Sequence, residues 1–367
     1  MNKYDIIALF ILKQIKGIGV SRLNYVLSQC KPSDIFEKNQ NELSCLLKVK
    51  DISILKQVHN KSLLLNAEKE FELMKQHSIS FITVRDKNYP FLLKQLNDPP
   101  PFLFYKGTLP ASTSRFISVV GTRKPSADAQ RIVYRLIDTL KPVDPVIVSG
   151  LALGIDTIAH KVSIDHQVPT IGVLGSGFGC FYPRSNERLA QRILDKDGII
   201  FTEHFFLDPP NREHFPKRNR IVAGLSSCTV VVQSASSGGS LLTADLANGY
   251  NRDVFAFPGS LDESVYRGTH KLIKENKAAL VESGEDIIKA MNWEVQSPEK
   301  FPKSIFLDLS NLELQIVKLL SQHNKLHIDQ LQRSLYQVGN NLNIILLGLE
   351  MKNIIKTLPG KHFSLLQ

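Results

Sequence analysis

Over residues 3 to about 75, apolar positions recur at spacings of three and four, with Lys and Glu filling the gaps and no alternating β-branched run. That period predicts amphipathic helices throughout the segment. From about residue 80 the pattern changes. "ISFITVRDKNYPFLL" and "PPPFLFYKG" read as short extended pieces bounded by prolines, and "FISVVGTRKP", "PVIVSGLALGID", "PTIGVLGSGFG", "GIIFTEHF", "CTVVVQSASSGGS" and "DVFAFPGS" follow. Each of these six is a buried-looking strand leading into a helical segment, which predicts an α/β domain with a doubly wound, mainly parallel sheet. Beyond the polar, Pro-containing linker "NWEVQSPEKFPKS", residues 305 to 367 give three helical segments that end in strand, Pro-Gly turn and strand. Three domains are therefore expected: a helical one over 1–78, a Rossmann-like one over 79–297 and a winged helix over 304–367.

Composition narrows the picture. The chain has 367 residues, 43% hydrophobic and 22% charged, which describes well-cored globular structure. The apolar N-terminal stretch is interrupted by Asp5, Lys13 and Lys16 and is too short to span a bilayer, so a cytoplasmic protein with no membrane partner is expected. Four widely spaced cysteines offer neither a disulfide framework nor zinc spacing, and no metal or cofactor is expected. The net charge of +10 suggests a polyanionic partner, but residues 111–297 carry only +1 of it, against +6 before and +3 after. An anion site in the sheet domain must then be a local constellation. "IKGIGVSRLNYVL" near the N-terminus resembles a helix-hairpin-helix turn, with Lys16 and Arg22 beside it.

Ligands of open α/β sheets bind outside the carboxyl ends of the strands. There this chain places Gly121, Thr122 and Arg123; Ser149 and Gly150; Gly175, Ser176, Gly177 and Gly179; and Ser237, Gly238, Gly239 and Ser240. Glycines let a ligand approach the backbone N–H groups closely. In "FPKRNRIVAGLS", Pro216 reads as the first residue of a helix over about 216 to 223, which puts Lys217, Arg218 and Arg220 at its N-terminus. Cations oppose the helix dipole there, so these arginines are expected to stand unpaired and ready for an anion. Phe178, Phe181, Tyr182 and Phe215 lie in or beside the same loops as stacking surfaces.

Rival chemistries fit less well. Gly175-Ser-Gly177-Phe-Gly179 is G-x-G-x-G rather than G-x-G-x-x-G, and it follows the third strand, against a dinucleotide cofactor. "SSGGSLLTAD" is faintly similar to the loop of phosphoribohydrolases, with Asp245 in place of their Glu, so a nucleotide-phosphate hydrolase is the alternative reading. No catalytic residue is assigned: Asp156 and Glu203 read as helix caps or ion-pair partners, and His160, His204 and His214 as structural.

"VVGTRKPS", "VSGLALGIDTIAH", "TIGVLGSGF…FYPRSN", "FPKRNRIVAGLS", "SSGGSLLTADLA" and "VFAFPGS", in this order, resemble the DNA-processing protein A (DprA, or Smf) family. The preceding "YPFLLKQLNDPPPFLFYKG" and the C-terminal pattern also match, so the resemblance covers nearly the whole chain. It implies a homodimeric Rossmann-like protein, with a helix-hairpin-helix or SAM-like N-terminal domain, that binds single-stranded DNA in natural transformation and helps load RecA recombinase. The candidate DNA-binding residues are Gly121, Arg123, Lys124, Ser149, Gly150, Gly175, Gly177, Tyr182, Arg184, Asn186, Phe215, Lys217, Arg218, Asn219, Arg220, Gly239 and Ser240. Two departures stand out: Gly179 replaces the family's usual Asp, and Gln233 stands where Glu is common.

Overall fold

A computed structural model describes residues 1–109, 115–294, 309–322, 325–335, 342–352 and 354–365. It separates the chain into two compact units, Met1–Val295 and Gln296–Gln367. Most of the linker expected around 292–304 lies outside the described residues.

The first unit opens with five helices, α1 (Lys3–Gln14), α2 (Val20–Gln29), α3 (Gln40–Leu47), α4 (Ile52–Lys56) and α5 (Lys61–Gln76). Asn2 and Asp5 close a capping box at the start of α1. This helix buries every residue from Asp5 to Leu12, because "IIALFIL" is apolar all round and only full burial satisfies it. The Phe10 ring lies 5.3–5.8 Å from those of Phe81, Phe102, Phe104 and Phe205. The helical segment therefore shares a core with the sheet beside it.

That sheet has nine strands: β1 (Ser80–Thr83), β2 (Phe102–Gly107), β3 (Arg115–Val120), β4 (Pro145–Ser149), β5 (Thr170–Val173), β6 (Ile199–Thr202), β7 (Cys228–Val231), β8 (Asp253–Ala256) and β9 (Ala279–Leu280), in the order β1-β2-β6-β5-β4-β3-β7-β8-β9. The strands from β3 to β9 run parallel, and β1 and β2 add an antiparallel edge. In β3, Phe116 and Val120 face one core and Ile117 and Val119 the other, which is why it reads as an unbroken apolar run. The helices of this region are α6 (Phe91–Lys94), α7 (Ala129–Leu140), α8 (Ile155–Asp165), α9 (Glu187–Leu194), α10 (His214–Leu225), α11 (Gly239–Gly249), α12 (Arg267–Lys274) and α13 (Gly284–Ala290).

The second unit runs α14 (Asn311–Gln322), β10 (Leu326–His327), α15 (Ile328–Ser334), α16 (Leu342–Met351), β11 (Ile355–Leu358) and β12 (His362–Leu365), with its strands in the order β10-β12-β11. Its own core is built on Ile316, Leu320, Leu331, Leu346, Leu349, Ile355 and Phe363. Among the described residues, no helix is long and apolar enough to cross a membrane.

Candidate nucleic-acid interface

The chain builds β3 to β6 outward on one side, then returns to lay β7 against the other side of β3. This reversal is the point at which a doubly wound sheet opens a crevice. A cleft of about 460 Å³ lies there, lined by the 120–123 loop after β3, Gly150, Ala152 and Asp156 from the β4–α8 connection, Phe215, Arg218, Asn219 and Val222 of α10, and Ser234 to Thr243 after β7. A smaller hollow beside it adds Leu153, Tyr182 and Pro183.

Arg123 is exposed, and its guanidinium lies 5.5 Å from the centre of the Phe215 ring. Tyr182, also exposed, places its ring 5.8 Å from Phe215. A cation and two aromatic rings thus meet at the mouth of the cleft, where they can stack a base and attract its phosphate. Opposite them Gly238 caps α11, and Gly239 and Ser240 form its first residues. The first-turn N–H groups have no intrahelical partner and favour negative charge.

Arg218 plays a different part from the one its sequence position suggests. Helix α10 starts at His214, so Pro216 is its third residue and both arginines fall in the second turn, beyond the reach of the dipole. Arg218 is buried under the cleft, donating to the carbonyls of Gly150 and Val173 and to Asn219 Oδ1 at 3.1 Å. Asn219 in turn donates to the Gly239 carbonyl at 3.2 Å. Asp156 faces Arg218 and accepts from the N–H groups of Gly150 and Ala152. Burial pushes this carboxyl above its usual range while Arg218 pulls it down, and burial lowers the Arg218 guanidinium while Asp156 opposes that. The pair matches its own charges, so Arg218 shapes the floor instead of offering a free cation.

Arg220 is further removed. It donates to Glu203 Oε2 at 2.5 Å and to the Asp98 carbonyl at 2.6 Å, and it is absent from the cleft lining. The expectation of two unpaired arginines is therefore corrected for both, and the ion-pair reading of Glu203 and Asp156 holds.

Four other candidates are structural pins. Ser149 gives its hydroxyl to the Val119 carbonyl. Asn186 donates to the carbonyls of Leu151 and Ala152 and to Thr157 Oγ1, which fixes the cleft wall from behind. Gly177 and Gly179 give their N–H groups to Asp208 and Phe206, so they form no open anion nest. Gly177 packs against Phe205 and Phe206 where no Cβ would fit, whereas Gly175 backs the Phe215 ring. Gly121 and Gly150 are fixed by crowding: a Cβ would lie 2.5 Å from Ile155 in one case and from the Arg218 guanidinium in the other. Lys124, Arg184 and Lys217 are exposed, outside the lining. Val222, Leu242 and Thr243 complete the wall without having been anticipated; Val222 continues the face of Phe215 and Arg218 along α10.

Asp245, the acid on which the hydrolase alternative depends, lies outside the lining and pairs with Lys277 at 3.2 Å. His160 is buried with Nδ1 2.7 Å from Thr170 Oγ1, and the His204 and His214 rings stack at 4.0 Å; both fit structural roles. Among the described residues, no group of three or more His, Cys, Asp or Glu is arranged to hold a metal.

Comparison with known proteins adds context to this geometry. The family model for DNA recombination-mediator protein A matches residues 80–292. A DNA processing protein DprA of Bacillus subtilis is 42% identical over 229 residues, covering 62% of this chain and 76% of the relative. Protein Smf of Escherichia coli is 34% identical over 297 residues, covering 80% and 79%. The crystal structure of DprA from Streptococcus pneumoniae superposes with a TM-score of 0.67 at 31% identity, over 79% of this chain and 98% of that one. A DprA structure from Helicobacter pylori, reported for its single-stranded DNA binding mode, gives 0.51 at 28% identity, over 58% and 95%.

Proposed function

The chain belongs to the DNA recombination-mediator protein A family, and from that premise we propose that its cleft binds single-stranded DNA, that it protects incoming strands in natural transformation, and that it helps load RecA onto them. The observation that carries the reading is the meeting of Arg123, Phe215 and Tyr182 at the cleft mouth, facing the first turn of α11. An exposed cation, two stacking rings and free backbone donors suit an unpaired strand, whose bases are available for stacking and whose phosphates need neutralising. A duplex keeps its bases stacked inside and could use only the charge. The strand-binding mode named for the Helicobacter pylori relative supports the same assignment. Homodimerisation and a cytoplasmic location belong to the proposal.

The second unit follows the order helix, strand, helix, helix, strand, strand, which supports its reading as a winged helix. The turn at Gly17, with φ +98 between α1 and α2, supports a helix-hairpin-helix or SAM-like reading of the N-terminal segment. Fluorescence anisotropy with labelled single-stranded and duplex oligonucleotides tests the central claim. Tighter single-strand binding without turnover of the oligonucleotide or of added mononucleotides is expected; equal or tighter duplex binding, or hydrolysis, overturns it.

A further inference from the structure

Gln233, fully buried just beyond β7, holds both ends of the short loop that carries Arg123. Its backbone carbonyl accepts the Thr122 N–H at 2.8 Å. Its side-chain Oε1 accepts the Ser126 N–H at 3.0 Å, and Nε2 donates to Ser126 Oγ at 2.6 Å and to the Tyr266 hydroxyl at 2.8 Å. The amide orientation follows from chemistry, because a backbone N–H can only donate and must face the oxygen. Tyr266 is itself immobilised, with its ring packed so closely on Gly259 that no Cβ would fit there. One side chain thereby ties residues 122 and 126 to the segment leading into α12 and leaves three residues, Arg123, Lys124 and Pro125, between the two anchors.

We infer that Gln233 is a positioning residue for DNA binding: it holds the 122–126 loop so that Arg123 stands over Phe215 before the strand arrives. Reaching that arrangement from a loose loop would spend binding free energy on ordering. Gln233 is excluded from the cleft and touches no ligand, so its effect must pass through Arg123. The inference rests on the strand-binding reading of the cleft, but the state of the loop can be read without DNA. Lys124 precedes Pro125 and resists trypsin, so cleavage within the loop reports on Arg123 alone.

The test compares Gln233→Met, Gln233→Glu and Tyr266→Phe in the full chain, each with Arg123 intact and in an Arg123→Gln background. Oligonucleotide affinity is measured throughout, and trypsin cleavage after residue 123 in the variants that keep Arg123. Gln233→Met removes all three side-chain hydrogen bonds at nearly constant length and is expected to weaken binding about three- to tenfold with Arg123 present, to change it little without Arg123, and to speed cleavage. Gln233→Glu keeps the acceptor for Ser126 N–H, and the two hydroxyls can rotate to donate, so behaviour near wild type is expected. Tyr266→Phe covers the case in which the Met variant does not fold, and should give a smaller change of the same kind. Equal weakening in both Arg123 backgrounds, or unchanged cleavage and affinity in every folded variant, overturns the inference. A wild-type chain that binds no single strand, in which cleavage still responds to Gln233→Met, would sink the strand-binding reading and leave the loop clamp standing.

Discussion

Glu203 Oε2 accepts from the Arg220 guanidinium at 2.5 Å, and both side chains are almost withdrawn from solvent. The same guanidinium holds the Asp98 carbonyl, Tyr250 holds the Asp98 carboxylate, and Lys13 of α1 reaches the Glu203 carbonyl. Arg220 therefore fastens α10 to the N-terminal helices and to the segment before β2. Arg220→Gln leaves a buried carboxylate without its partner and should cost about 3–5 kcal/mol. Thermal melting should show that loss, while an oligonucleotide titration of the folded fraction stays within about twofold of wild type, the range left to sites remote from the ligand.

Gly150→Ala should act through a different contact. The added methyl would lie 2.5 Å from the guanidinium of Arg218, which is held on two carbonyls and cannot swing aside without abandoning them. Overpacking of this kind costs roughly 1–3 kcal/mol. Because the displaced group forms the cleft floor, a lower melting temperature and weaker strand binding are expected together.

These two arginines show where sequence reading stops. The strands and the mostly parallel sheet were legible because each β-strand is a short apolar run between turn residues, and the strand-end glycines pointed to the correct edge. Asp156 and Glu203 were also correctly read as ion-pair partners. The roles of Arg218 and Arg220 were not legible, since their partners come from β4, β5, β6 and the 98–100 segment, which adjoin α10 only after the sheet has formed. The start of α10 was misplaced because Pro is tolerated anywhere in the first turn, where no N–H has an intrahelical partner. Ser149 and Asn186 look like ligands in a sequence but spend their polar atoms on backbone carbonyls. A usable signal for the shared N-terminal core did exist, in the all-round apolar character of α1.

That shared core predicts how truncations behave. A fragment of residues 80–294 would expose Phe81, Phe102, Phe104 and Phe205, which pack on Phe10, and would leave Glu203 without Lys13. It should aggregate or melt well below a fragment of residues 1–294, which keeps the cluster intact. Size-exclusion chromatography and a melting scan on the two fragments check this, and equal stability would contradict it.

Glu70 supplies a pH dependence at the same junction. Burial is the main reason its carboxyl is pushed up to about 7, with Asp208 adding to the rise and Lys13 and the Phe206 N–H opposing it. The folded state thus holds a proton that the unfolded chain releases from about pH 4.5 upward. The contribution to stability is complete below that pH, declines between about 4.5 and 7, and is lost above. By linkage the decline should be about 1–2 kcal/mol. Melting temperatures taken from pH 5 to pH 7.5 should fall more steeply for the wild-type chain than for Glu70→Gln; parallel slopes would show that Glu70 does not titrate in this window.

Salt dependence separates the free cation from the matched ones. For single strands, log K falls with log salt by about 0.7 for each phosphate neutralised. Arg123 is exposed over Phe215 with no carboxylate beside it, whereas Asp156 balances Arg218 and Glu203 balances Arg220. Arg123→Gln should therefore weaken single-strand binding, reduce the magnitude of the salt slope by about 0.7 and leave the melting temperature unchanged, because no native partner is lost. Arg220→Gln should do the opposite, lowering the melting temperature and keeping the slope. Anisotropy titrations of the two variants at four or more salt concentrations measure both slopes. Were Arg220→Gln to flatten the slope as much as Arg123→Gln, Arg220 would be meeting phosphate directly, and the assignment of the cleft's free charge to Arg123 would fail.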